Sequence, residues 1–167
     1  MYKVGELIFY GSTGVCRVEG IEERREKGVS RPYYVLKPTC QDGTIYIPVD
    51  TKVYMRPVIS REEAERIIDA IPGIKAEAIQ ERSFTQLAAR YEQLIAGHDC
   101  ESLVRLVMSI HAKKQYAESH GHKFGQIDAR YMKRAESLLY GELSAALGLE
   151  YDKVQPYIAR RVSEMKS

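Results

Sequence analysis

Val58-Ile59-Ser60-Arg61-Glu62-Glu63 is where the chain changes period, and its reading divides the protein in two. Ser60-Arg61-Glu62-Glu63 has the form of a capping box. The serine hydroxyl can accept the backbone N–H three residues on, and the glutamate can reach back to the cap. A helix is therefore expected over about 61–71, stopping near Pro72-Gly73. No Gly/Ser spacer precedes it, which suits a stiff junction between two domains, 1–59 and 60–167.

Upstream, short runs rich in Val, Ile and Tyr predict strands over 2–4, 7–10, 15–21, 33–37 and 44–48. Gly11-Ser12-Thr13-Gly14 and Gln41-Asp42-Gly43 read as turns, and 22–31 as a charged loop or hairpin tip. Five short strands in some fifty residues fit a small, strongly bent barrel of the SH3 or Tudor kind. Downstream, a second helix is expected over 75–96, ending at Gly97. Asp99 reads as the cap of a third, which runs to about 119 with Leu103, Leu106, Val107 and Ile110 on one face. After a loop at 120–125, Asp128 is expected to cap a fourth helix that ends at Gly148, with Tyr131, Ala135, Leu138, Leu139 and Ala146 along one side. Asp152 would begin the last, with Pro156 tolerated in its first turn. The fold class is α+β: an N-terminal SH3/Tudor-like β barrel, then an all-α C-terminal domain of about five helices.

A hydrophobic fraction of 44% and a charged fraction of 29% are those of a soluble globular protein. No apolar run approaches the roughly 20 residues that span a bilayer, and Met1-Tyr2-Lys3-Val4-Gly5-Glu6 does not open like a signal peptide. Cys16, Cys40 and Cys100, odd in number and widely spaced, suit a reduced, cytoplasmic protein. The net charge of +2 hides an asymmetry. Residues 61–101 hold 5 Lys/Arg against 9 Asp/Glu, or −4, and residues 103–134 hold 7 against 2, or +5.

Catalytic signatures are missing: there is no G-x-S-x-G, P-loop, H-E-x-x-H or paired C-x-x-C. No enzymatic activity, cofactor or small-molecule substrate is expected. Gly11-Ser12-Thr13-Gly14 has the glycines of a phosphate cradle but lacks the Lys-Ser/Thr and the helix that should follow. His98-Asp99-Cys100 and His120-x-His122 contain ligand types, yet no set of four at zinc spacing appears, so no metal is expected. Cys100, in the first turn of a helix, is either a lowered-pKa thiol or a small core residue. Twelve tyrosines and no tryptophan put Tyr33, Tyr34 and Tyr46 on strands, where they serve either barrel packing or a protein-binding face.

The basic residues carry the strongest signal. Lys113 and Lys114 end the third helix, Lys123 lies in the loop, and Arg130, Lys133 and Arg134 start the fourth. Two antiparallel helices would gather all six at one end, as a phosphate-contact surface or as a solvated face. Contacts to DNA would then be mostly to its backbone.

Tyr2-Lys3-Val4-Gly5-Glu6-Leu7-Ile8-Phe9-Tyr10, then Gly14, then Val18-Glu19-Gly20-Ile21-Glu22, resembles the opening of CarD/CdnL proteins. Tyr33-Tyr34-Val35-Leu36 and Thr44-Ile45-Tyr46-Ile47-Pro48-Val49-Asp50 continue it. This module is similar to the RNA-polymerase-interaction domain shared with the transcription-repair coupling factor. Gly97 and Ala135-Glu136-Ser137-Leu138-Leu139-Tyr140-Gly141-Glu142-Leu143 fall where the family has its own helical segments. The resemblance implies a barrel that grips the polymerase β subunit and a helical domain that touches promoter DNA and stabilises the open complex. It places Arg24, Tyr46 and Pro48 at the polymerase contact, Tyr46 standing where family members carry an arginine. Family members place a wedge tryptophan fourteen residues before the glycine matched by Gly97; that position here is Ser83, with Phe84 beside it. Phe84 is either a smaller wedge or part of a buried stripe with Leu87, Tyr91 and Leu94. Arg82 and Arg90 flank it on the DNA side, whereas the basic positions that follow the wedge in the family are Thr85 and Ala88.

Overall fold

The computed structural model describes residues 1–11, 13–97 and 99–166, so Ser12 of the first turn and His98 of the candidate ligand set lie outside the described residues. The chain forms two compact units, Met1–Val58 and Ile59–Ser167.

The first unit is a five-stranded antiparallel sheet: β1 (Leu7–Tyr10), β2 (Gly14–Glu26), β3 (Val29–Pro38), β4 (Ile45–Pro48) and β5 (Met55–Pro57), in the order β4-β3-β2-β1-β5. Alternation sends Ile8, Cys16, Val18, Tyr34 and Leu36 to one face, where they form the core, with Tyr10, Ile45, Ile47 and Met55 packed against it. The sheet is open. β4 and β5 are its edges, with four and three residues, and no ladder joins them, so the expected closed barrel does not form among the described residues. Residues 2–4 are not a strand, and β5, too short to show a period, takes the fifth place by pairing with β1. Of the two readings of 22–31, a charged loop or a hairpin tip, the structure has the hairpin tip. Glu22↔Tyr33 through Glu26↔Val29 stay in register, and the chain turns at Lys27 (φ +52°) and Gly28 (φ +80°). Two successive positive φ values define the tight turn that matches strand twist.

The second unit holds α1 (Arg61–Ala70), a single 3-10 turn (Ile71–Gly73), α2 (Phe84–Ile95), α3 (Cys100–Ser119), α4 (Gln126–Leu147) and α5 (Tyr151–Lys166). Ser60 caps α1 by accepting from Glu63 N at 3.1 Å. The reciprocal half of the capping box is replaced, because the Glu63 carboxylate accepts from Arg66 at 3.0 Å. Asp99 caps α3 through Ser102 N, and α4 ends at Gly148 in the left-handed region (φ +67°).

Three expectations fail. Residues 74–82 are not helical, and α2 starts only after Ser83, whose hydroxyl accepts from Gln86 N at 3.1 Å. Asp128 is not a cap. α4 starts three residues earlier than that cap would allow, at Gln126 behind Gly125, and Asp128 is turned inward and buried. α5 starts at Tyr151, which puts Pro156 inside the helix rather than in its first turn. The domain core is built from Ala64, Ile67 and Ile68 of α1, Leu103, Leu106 and Ile110 of α3, and Ala135, Leu139 and Leu143 of α4. α5 is tied to α1 where Tyr157 donates to Glu65 at 2.7 Å and Arg161 pairs with Glu65 and Asp69.

Candidate protein and nucleic-acid interfaces

The face of the sheet opposite its core carries Glu22 and Arg24 on β2, Tyr33 and Val35 on β3, and Tyr46 and Pro48 on β4. An irregularity between Val18 and Gly20 shifts the register and sets this half of β2. Tyr33 stands opposite both Glu22 and Pro48, and Tyr46 opposite Val35. The Arg24 guanidinium lies 4.2 Å from the centroid of the Tyr46 ring and 6.0 Å from that of Tyr33. Arg24 makes no ion pair among the described residues, so its charge rests on aromatic faces rather than on a carboxylate. Tyr46 remains exposed while Tyr33 is buried. The structure thus brings Arg24, Tyr46 and Pro48 onto one surface. Sequence reasoning missed Arg56 on the same face, 4.4 Å over the Phe9 ring, because it belongs to the strand too short to be recognised.

In the helical domain Phe84 is the first residue of α2 and 79% exposed, which overturns its place in the buried stripe. A helical side chain covers the turn before its own Cα. Residues 74–82 supply no such turn, so Phe84 has nothing to lie on. The buried row of α2 is Leu87, Tyr91 and Ile95. Phe84 instead edges a hollow of about 410 Å³ shared with Leu87, Phe124, Ile127 and Lys123. Phe124, in a loop with no period, gave no signal in the sequence.

The expected basic cluster divides. Lys113 Nζ lies 3.0 Å from Asp128 Oδ1 and donates to the Ile79 carbonyl at 3.1 Å, with its side chain only 17% exposed. Asp128 also accepts from the Tyr91 hydroxyl at 2.6 Å. Burial, and then that bond, raise the Tyr91 phenol above its ordinary range. Lys113 is therefore an internal counter-ion that fastens residue 79 to the α3–α4 pair, not a phosphate contact. Arg134 pairs with Glu92 at 2.6 Å, and Glu92 also accepts from Tyr131 at 2.8 Å. The bonds from Tyr131 and Arg134 hold the Glu92 carboxyl below its usual range. Arg90 is drawn to Glu81 at 3.7 Å. Five cations stay available. Arg82, Lys123 and Lys133 are exposed, Lys114 is half-buried, and none of the four has an ion pair among the described residues. Arg130 is exposed and lies 5.1 Å from the Tyr131 ring centroid.

Cys100 is buried in the first turn of α3, and burial pushes the Cys16 thiol up to about 11. His120 stacks on Tyr116, with 3.9 Å between ring centroids and Nδ1 2.9 Å from the Tyr116 carbonyl oxygen. Among the described residues no three His, Cys, Asp or Glu side chains are grouped to hold a metal. No described helix is long and apolar enough to cross a membrane. Residues 2–59, which contain the Arg24–Tyr46 surface, match the family model for the CarD-like/TRCF RID domain.

Proposed function

We propose that this chain, a CarD-like protein by its residues 2–59, is a non-enzymatic, cytoplasmic adaptor that joins RNA polymerase to promoter DNA. The N-terminal sheet, a Tudor-like domain in this reading, serves a transcription-related protein-binding role and takes the polymerase β subunit on the Arg24–Tyr46–Pro48 face. The observation that carries the reading is the coincidence of the family match with that surface. An arginine stacked on an exposed tyrosine is a pre-set anchor, of the residue types that dominate interface energetics. The helical domain contacts the DNA backbone through Arg82, Lys114, Lys123, Arg130 and Lys133, with Phe84 as the apolar element beside them, and so modulates open-complex stability.

The test is a binding titration of the full chain against the purified β subunit, then against polymerase with promoter DNA. Saturable binding that Arg24→Glu weakens supports the reading, and no binding to β ends it. A second reading, a polymerase-binding adaptor without DNA contact, is favoured by one observation: Lys113, Arg134 and Arg90 are already paired with carboxylates. An affinity for DNA that does not fall with salt would select it.

A further inference from the structure

α5 packs on α1 and α4 but scarcely on α3, and this leaves a space inside the helical domain. It is a cavity of about 210 Å³ walled by Ile68 of α1, Val104 and Val107 of α3, Leu139 and Leu143 of α4 and Ile158 of α5. Past His111 and Ala159 it opens into a wider groove edged by Gln115, Val162 and Ser163. Protein interiors are ordinarily packed as tightly as organic crystals. A space of this size is larger than the apolar cavity of about 150 Å³ that accepts benzene in an engineered protein, and a mostly apolar wall holds water poorly.

Among the described residues two polar side chains of the lining, Tyr140 and Gln155, make no hydrogen bond, and Tyr140 is the less exposed of the two. Tyr140 is half-buried on the cavity wall, and its hydroxyl makes no hydrogen bond among the described residues. Its ring meets that of Tyr151 edge-on at 6.3 Å, a contact that leaves the hydroxyl unsatisfied. Burial, with Glu136 nearby, pushes the phenol up to about 12, so it stays a donor throughout the physiological range. A half-buried donor with no acceptor in the protein is free to take one from a ligand. His111, at the mouth, is engaged: its Nε2 lies 3.2 Å from Glu136 Oε1, while Gln155 stays exposed to solvent. The Glu136 carboxylate sets a negative charge at the entrance, which disfavours an anionic guest. A concave, mostly apolar pocket with a few convergent polar groups is the usual form of a small-ligand site.

We infer that the cavity between α3, α4 and α5 binds a small uncharged molecule, aromatic or short-chain alkyl, whose single carbonyl or hydroxyl oxygen accepts from Tyr140. The residues of this site are not those proposed to meet polymerase or DNA, and its test does not depend on either reading.

The experiment is a titration of the full chain with acetophenone, toluene and benzoate, followed by methyl NMR and by the shift in melting temperature. Acetophenone is expected to move the methyl signals of Ile68, Val104, Leu139 and Ile158 with a saturable curve. Benzoate, of similar size but charged, is expected to bind at least about tenfold more weakly. Tyr140→Phe is expected to weaken acetophenone about tenfold and leave toluene unchanged, which separates the hydrogen bond from the packing. Ala159→Leu is expected to fill the entrance and abolish binding of all three probes. If Ala159→Leu does not fold, Tyr140→Phe still decides, because it removes only one atom. The proposal is overturned if no probe moves the cavity methyls at millimolar concentration. It is overturned equally if benzoate binds as well as acetophenone, or if Tyr140→Phe weakens toluene and acetophenone alike.

Discussion

Arg24 and Lys113 are both cations that the sequence marks as binding groups, and the two domains treat them in opposite ways. The sheet places Arg24 at the surface on an aromatic plate, 4.2 Å from the Tyr46 ring centroid and, among the described residues, without a carboxylate partner. The helical domain draws Lys113 inward onto Asp128 and the Ile79 carbonyl. A strand has two faces and fixed alternation, so register alone says which face a side chain takes, and Arg24 and Tyr46 on the face away from the core stay exposed. A helix presents residues all round, and a long side chain near its edge can fold back into a neighbouring gap. Sequence periodicity thus says which face a strand residue takes, but for helical lysines it says only that they are near the surface.

The sharpest way to break this comparison is to remove the internal counter-ion. Asp128→Ala should destabilise the helical domain by about 3–5 kcal/mol in urea unfolding, because it strands Lys113 and the Tyr91 hydroxyl together. A double change of Lys113→Met with Asp128→Leu should recover part of that loss, since well-packed apolar groups can replace a buried pair. An Asp128→Ala protein with unaltered stability would return Lys113 to the surface.

Next in size is Arg24→Glu, expected to cost at least about 2 kcal/mol of affinity for the β subunit while the melting temperature holds, since Arg24 is exposed. Replacing Lys114, Lys123, Arg130 and Lys133 with Ala should flatten the salt dependence of DNA binding by about one unit of slope for each phosphate no longer neutralised. Lys113→Ala should change stability instead, which reverses the role its position in the sequence implies.

Smaller still is the stability effect of Phe84→Ala. At 79% exposure it should stay within about 0.5 kcal/mol, whereas the lifetime of open promoter complexes shortens. A sharp fall in melting temperature would put Phe84 back in the core. The least effect belongs to pH. Glu92 has a folded pKa below its ordinary value of 4.5, so its contribution is present above 4.5 and is lost as the pH falls through the lower folded value. Glu92→Gln should remove that component from the acid limb of the stability curve.

Most element types could be read from the sequence, because they follow from local chemistry: the caps Ser60 and Asp99, the stop at Gly148 and the alternation around Tyr33-Tyr34-Val35-Leu36. What could not be read depends on partners far along the chain. Met55-Arg56-Pro57 becomes a strand only because Leu7–Tyr10 offers it an edge. Asp128 looks like a cap by type, yet its place is fixed by Tyr91 and Lys113, 37 and 15 residues away. Phe84 has helical spacing to Leu87 and Tyr91, and its exposure follows from the failure of the preceding ten residues to coil. At the candidate interfaces the same division holds. Arg24 and Tyr46 could be named in advance, but not their stacking, and Phe124 could not be named at all.

The pairing of Ile8 with Pro57 has a consequence for how the protein is made. β1 joins β2 through a short turn, but its other side stays open until Met55–Pro57 has been synthesised. Closing a loop of that length is slower than zipping the β2–β3 hairpin, so β5 should be the last strand to join. A nascent chain halted before residue 55 carries an unsatisfied edge on its central strands, the kind that recruits other chains. Ribosome pausing within 49–57 should therefore lower soluble yield more than pausing anywhere in the helices that follow.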